Sequence, residues 1–278
     1  MKVITVTTED PNGLLKNWEN TAKICGYQPI ILGFNQEWKG WKWRMDTYAQ
    51  YLETLDPKEI VILSDGTDVF FVGDADETLK KYHKLGHKVI FGAETHCCTG
   101  KWRFRKQELY EKLKNRTICE QFFSLNGGLV IGKVKDLLKF LRTEEEVKDD
   151  QAYFVECYLE NRSIELDYNN EIFGNIPYGD YLLISSAHLP WNNWVLEDRR
   201  VLNPKTNTYP SIVHFPGRNS HYYNLFISQI YPGSNLMSNS STISNYVLIF
   251  LSVLLIILMM VFWFKNYSGT IFHKNNLS

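Results

Sequence analysis

In the stretch EIVILSDGTDVFFVGD, Asp65 and Asp68 stand three positions apart, directly after Ile60, Val61, Ile62 and Leu63. The apolar run reads as a buried strand, which puts both carboxylates at a strand end. Two carboxylates confined there repel one another unless a positive charge lies between them. A divalent cation is the simplest answer. Mg²⁺ and Mn²⁺ take oxygen ligands and commonly bridge carboxylates to a diphosphate. Gly66 allows close backbone approach, and the same loop can hold a ribose. The D-x-x-D spacing alone more often marks a solvated turn; the strand before it brings a metal and nucleotide site level with that reading.

The elements that must position this pair follow from periodicity. Lys2 to Thr7 reads as a strand, rich in β-branched residues. Leu14, Leu15, Trp18 and Ala22 recur at helical spacing, and Gly26 closes that helix. Strand patterns at Pro29 to Gly33, Glu59 to Ser64 and Lys88 to Ala93 alternate with helix patterns at Trp41 to Leu55 and Glu77 to Leu85. Apolar strands in β-α-β-α-β order predict an open, mostly parallel sheet with helices on both faces. Ligands bind such sheets at the carboxyl ends of the strands, where Asp65 and Asp68 stand. In the second half, Leu129 to Gly132, Ser163 to Leu166, Ile172 to Asn175 and Ser211 to Phe215 read as short strands. Val134 to Arg142 and Asp149 to Leu159 read as helices, and 177 to 210 as loop.

Composition narrows the function classes. Thirty basic and 31 acidic side chains give a formal net charge of −1, without the basic excess of a general nucleic-acid binder. The five cysteines include no C-x-x-C pair and make neither a zinc pattern nor a dense disulfide framework. Residues 1–233 are expected to form the catalytic domain, followed by a polar linker, 234–245. The uncharged run 246–264, from Tyr246 to Phe264, is about 28 Å long as a helix, close to the bilayer core. It is expected to be a transmembrane tail anchor, with 265–278 as a short tail. The N-terminus shows no secretory segment, so the expected side for the catalytic domain is the cytosol. Lys265 and Lys274, opposite an uncharged linker, argue for the reverse orientation.

Several blocks occur in a fixed order: VITVTTEDPNGLLKNWENTAKICGY, GFNQEWKG, the D-G-T-D stretch, FGAETHCC, LNGGLVIG, DDQAYF, NNEIFGNI and PSIVHFPGRN. Together, from about residue 2 to 225, they resemble the glycosyltransferase domain of the procollagen lysyl hydroxylases and, more distantly, the procollagen galactosyltransferases. The resemblance implies a GT-A-like, Rossmann-type α/β fold, Mn²⁺, UDP-sugar donors, and hydroxylysine or galactosyl-hydroxylysine of collagen as acceptor. A hydroxylase domain is not expected within these 278 residues. By resemblance, Asp65 and Asp68 match the metal-binding acidic pair and His214 the third metal ligand. Val6 and Thr8 match uridine contacts, Trp38 a stacking aromatic and Lys42 a phosphate-facing cation. Thr67 stands where the family has a tyrosine beside the uracil. Asp149 and Asp150 match the acidic site facing the acceptor or the anomeric carbon, although helix-start carboxylates also occur for the sake of the dipole. Asn126 is expected to orient the donor sugar, and Gly217 to bring backbone N–H groups towards the phosphates.

The sequence departs from the family in two places. Cys98 replaces a tryptophan tied to acceptor handling, and the loop between Trp38 and Lys42, part of the lid over the donor, is short. These departures keep open a rival reading, a membrane-tethered, non-catalytic nucleotide-sugar or glycan-binding module with a degenerate transferase fold. The intact set of Asp65, Asp68, His214, Asp149 and Asp150 favours catalysis. A sugar-phosphate nucleotidyltransferase would carry a glycine-rich basic signature near the first strand, where this chain has the acidic TTEDPNG.

Overall fold

Strand β1 (Lys2–Val6) leads through α1 (Leu14–Ile24) to β2 (Gln28–Leu32), and α2 (Trp41–Leu52) leads to β3 (Ile60–Ser64). The chain then runs through β4 (Val69–Phe71), α3 (Ala75–Lys84), β5 (Val89–Glu94), β6 (Ser124–Lys133), α4 (Val134–Leu141) and α5 (Asp150–Glu160). It ends with β7 (Ile164–Asp167), β8 (Phe173–Asn175), β9 (Val195–Glu197), β10 (Arg200–Leu202) and β11 (Ile212–His214). The computed structural model describes residues 1–86, 89–95, 115, 122–160, 163–176, 194–197, 199–216, 229–231 and 259. Met1–Met237 is one compact unit and Ser238–Ser278 another. The predicted membrane segment 246–264, apart from Met259, lies outside the described residues, as does Gly217. Among the described residues no helix is long and apolar enough to cross a membrane.

The fold is mixed α/β. Its main sheet has the order β2-β1-β3-β6-β5-β7 and is parallel everywhere except on the two sides of β6. Side-chain alternation splits the core across the sheet. Ile4, Val61, Leu63 and Phe91 pack under α2, α4 and α5, through Met45, Leu137, Phe154 and others. Val3, Ile62, Ile90 and Ile131 face the other way, onto Leu15, Trp18 and Ala22 of α1 and Tyr82 of α3. Helices therefore cover both faces, as the pattern predicts. Local chemistry sets the helix ends. Asp74 caps α3 by accepting from Glu77 N at 2.6 Å. Gly26, at φ +74°, supplies the left-handed turn after α1.

A second sheet, β4-β11-β8, packs beside the first, and β9 and β10 form a hairpin. Three features of this region differ from the sequence expectation. β6 is a ten-residue strand, where only Leu129 to Gly132 is predicted. Asn126-Gly127-Gly128 reads as a breaker but is absorbed as an irregularity: the β5–β6 register shifts between Phe91 and Gly92, so that Gly92 pairs with Asn126. β4 has only three residues, too few for periodicity to show. The β9–β10 hairpin lies in the stretch expected to be loop, where Arg199 at φ +62° makes the turn.

Candidate active site

The chain leaves the main sheet at the end of β3, passes through Asp65-Gly66-Thr67-Asp68, and enters the small sheet as β4. β11 pairs antiparallel with β4, placing His214 opposite Val69 and so beside Asp68. Two anchors fix the ends of the excursion. Asp65 N donates to Gly128 O at 2.8 Å, and Phe215 N donates to Asp68 O at 2.8 Å. Tyr48 OH ties the ends of β1 and β3, donating to Ser64 O at 3.1 Å and accepting from Val6 N at 3.3 Å.

Asp65, Asp68 and His214 each offer one ligand atom, and these atoms lie within 4.8 Å of one another. His214 Nε2 is 3.6 Å from Asp65 Oδ2 and 3.5 Å from Asp68 Oδ1, separations too long for well-formed hydrogen bonds. Both Nε2 and Asp68 Oδ1 are buried and have no hydrogen-bond partner among the described residues. Such orphans are costly, and two of them facing one corner call for a shared partner. Two carboxylates and an imidazole suit Mn²⁺ or a similar cation, so the donor set fits a metal.

The supporting contacts fit as well. Asn175 Nδ2 donates to Ala93 O at 3.1 Å, which turns its Oδ1 towards His214 Nδ1 at 2.8 Å. In the neutral ring Nδ1 then carries the proton, and Nε2 keeps its lone pair for ligation. Burial pulls the His214 pKa down, but Asp68, Asp65 and Glu94 outweigh it and raise it above the ordinary value. Gly128 closes the corner. A Cβ there would come 2.5 Å from Asp65 Oδ2 and 2.6 Å from His214 Cε1, so only glycine fits.

Next to Asp68 opens a cleft of about 590 Å³. Val6, Thr8, Trp38 and Thr67, all expected from resemblance to touch the nucleoside, line it together. Trp41, missed by the sequence reading, lines it too, and meets Trp38 edge to face at 5.1 Å. Lys42 is not in its lining; it ion-pairs with Asp46, one turn along α2.

Asp149 and Asp150 separate into two roles. Asp149 caps α5, accepting from Ala152 N at 3.0 Å. Asp150 points inward, and burial lifts its pKa to about 6 although Arg44 pulls it down. Asn126 accepts from Gly128 N at 2.9 Å and donates to Glu94 at 3.2 Å; Gln151 donates to the other Glu94 oxygen at 3.2 Å. Sequence reasoning also overlooked Arg44. It is buried on α2 and bonds both Asp65 and Asp150. Its spacing held a signal, since Arg44, Tyr48 and Leu52 fall on one helical face.

The alignment to "Multifunctional procollagen lysine hydroxylase and glycosyltransferase LH3" of Homo sapiens is 28% identical over 193 residues, 63% of this chain and 25% of that protein. "Procollagen-lysine,2-oxoglutarate 5-dioxygenase 1" of Gallus gallus is 26% identical over 250 residues, 82% of this chain and 32% of that protein. The chain thus spans about a quarter to a third of the length of these relatives. Among solved structures, galactosyltransferase LgtC aligns at 12% identity and a TM-score of 0.41, over 84% of this chain and 98% of its own. A glycosyltransferase involved in glycosylating the PBCV-1 major capsid aligns at 10% identity and a TM-score of 0.46, over 81% and 97%. The family model of the PLOD GT domain matches residues 1–235, most of the chain. On that match the chain belongs to the PLOD GT domain family, the glycosyltransferase domain of the procollagen lysyl hydroxylases.

Proposed function

We propose that this GT-A-type domain moves a hexose, glucose or galactose, from a UDP-sugar to a hydroxyl acceptor, with Mn²⁺ or a similar cation held by Asp65, Asp68 and His214. The observation that carries this reading is the pair of orphaned buried ligand atoms, Asp68 Oδ1 and His214 Nε2, beside an aromatic-walled cleft. The cation would supply positive charge opposite the leaving diphosphate. The chain's own residues do the rest. Trp38 stacks on the uracil, Val6 and Thr8 contact the uridine, and Thr67 sits beside it. Asn126 orients the sugar. Asp150, with Asp149 behind it, aligns the acceptor hydroxyl or faces the positive charge that develops at the anomeric carbon. Lys42, held by Asp46 outside the cleft lining, reaches the phosphates only by leaving that pair, and Gly217, by the family match, brings backbone N–H groups towards them. The relatives' names point to procollagen lysine, and the acceptor we propose on the family resemblance is hydroxylysine or galactosyl-hydroxylysine of a collagen-like protein. The apolar run 246–264 tethers the domain to a membrane, with the domain on the cytosolic side.

The decisive experiment is Asp68→Ala. Mn²⁺-dependent UDP release from UDP-glucose or UDP-galactose should fall by at least about 100-fold, with the unfolding midpoint of the metal-free protein little changed. A folded Asp68→Ala protein that still turns over either donor at the wild-type rate sinks the metal assignment.

A further inference from the structure

Arg44 joins the two acidic groups of the site. Its Nη2 donates to Asp65 Oδ1 at 2.5 Å and its Nη1 to Asp150 Oδ2 at 3.1 Å. The guanidinium is fixed in place: its carbon lies 5.7 Å from the Trp41 ring centre and 5.6 Å from that of Tyr48. Nη2 also reaches Tyr48 OH, at 3.5 Å, and Tyr48 OH is the group that ties the ends of β1 and β3. Nε is buried with no hydrogen-bond partner among the described residues, so the two carboxylates, rather than full satisfaction of the donors, set where the group sits. A planar fork is the side chain that can hold two carboxylates at a fixed separation; an ammonium on a flexible stem cannot.

The division of Asp65 is the telling detail. Oδ1 faces Arg44, whereas Oδ2 faces His214. Arg44 therefore leaves Asp65 one oxygen for a cation. The same guanidinium adds a positive charge beside a site meant for a positive ion, which weakens binding there. An arrangement that gives up affinity implies a gain elsewhere, and the other end of the fork is Asp150.

We propose that Arg44 is a positioning residue that restricts Asp65 to one ligating oxygen and aims Asp150 at the reacting sugar, holding the metal corner and the acidic helix start in one geometry. This rests on the glycosyltransfer reading above. It predicts an opposition that loss of structure does not produce. Arg44→Met in the full chain, titrated with Mn²⁺ in the absence of donor, should bind the ion about tenfold more tightly than wild type, because a repelling charge is gone and both Asp65 oxygens are free. The same variant should turn over UDP-sugar at least about tenfold more slowly in kcat, with donor KM moved less than about threefold. Arg44→Lys keeps the charge but not the fork. Its Mn²⁺ affinity should stay within about twofold of wild type while kcat falls at least about tenfold, as in Arg44→Met.

Mn²⁺ binding by Arg44→Met that is equal to or weaker than wild type overturns the proposal. So does a wild-type kcat in Arg44→Lys, the variant that decides the matter if Arg44→Met does not fold. If wild type binds Mn²⁺ but releases no UDP from any donor, the glycosyltransfer reading falls and the affinities alone decide for or against the brace. If neither wild type nor Arg44→Met binds the ion, both readings are wrong.

Discussion

Glu94 shows how a single residue's surroundings reach into the stability of the whole domain. It is buried at the end of β5, accepting from Asn126 and Gln151 at 3.2 Å each. Burial lifts its pKa to about 7, against the pull of Asn126, His214 and Gln151. In the unfolded chain the same carboxyl titrates near about 4.3. Between those values the folded chain holds a proton that the unfolded chain has lost, so stability falls as pH rises through the window and levels off above 7. Glu94→Gln mimics the protonated form. In metal-free protein it should be more stable than wild type by about 1–2 kcal/mol at pH 8 and no more stable at pH 4.5, as read from urea unfolding. A stability difference that does not change with pH would show that Glu94 is ionised throughout. Residues of the site differ in how legible they are in sequence. Asp65 and Asp68 stand out because an apolar strand runs straight into them. His214 resembles any core histidine until β11 is laid beside β4, so only the surrounding block pointed to it. Arg44 looks like a surface cation in WKWRMD, and its burial follows from two carboxylates arriving from distant elements.

At the scale of elements, register is what builds the metal corner. β11 and β8 pair in parallel with His214 opposite Asn175, so the residue that orients the imidazole is supplied by the neighbouring strand. Asn175→Ala should leave the ladder intact but free the ring to rotate. Mn²⁺ affinity should drop by about 10- to 100-fold, with under about 2 kcal/mol lost from stability. Calorimetric titration checks the first figure and chemical unfolding the second; unchanged affinity would mean that packing alone orients the ring. The strands and helices of the first half were legible because each is apolar, regularly spaced and bounded by Gly or Pro. β6 was cut short in the sequence reading because Gly127 and Gly128 suggest a turn. In the structure Gly128 is where backbone must come close to Asp65 and His214, and Gly127 is where it meets Gln151, demands that no local pattern encodes. β4 escaped notice for a different reason, since three residues carry no period.

For the whole molecule, the catalytic unit closes well before the apolar tail. Ile230 is buried with Phe70, Val213 and Phe215, and Tyr231 OH donates to Phe71 O. A chain ending at Gly233 keeps both residues and should be monodisperse without detergent and bind UDP with Mn²⁺; one ending at Arg218 should aggregate. The full chain should require detergent because of residues 246–264. Light scattering on the three proteins tests this, and a freely soluble full chain would rule out the anchor. Asp65 hangs from the main sheet, whereas His214 belongs to the small one and Asp68 leads into it. Any ion gripped by all three is therefore a rivet between two separately hydrogen-bonded layers. Above its dissociation constant, each tenfold rise in Mn²⁺ should add about 1.4 kcal/mol to unfolding, visible as a steadily climbing melting temperature. If the proposed cation is manganese, its supply would then act on the lifetime of the folded domain as well as on turnover, so that depletion would remove protein and activity together.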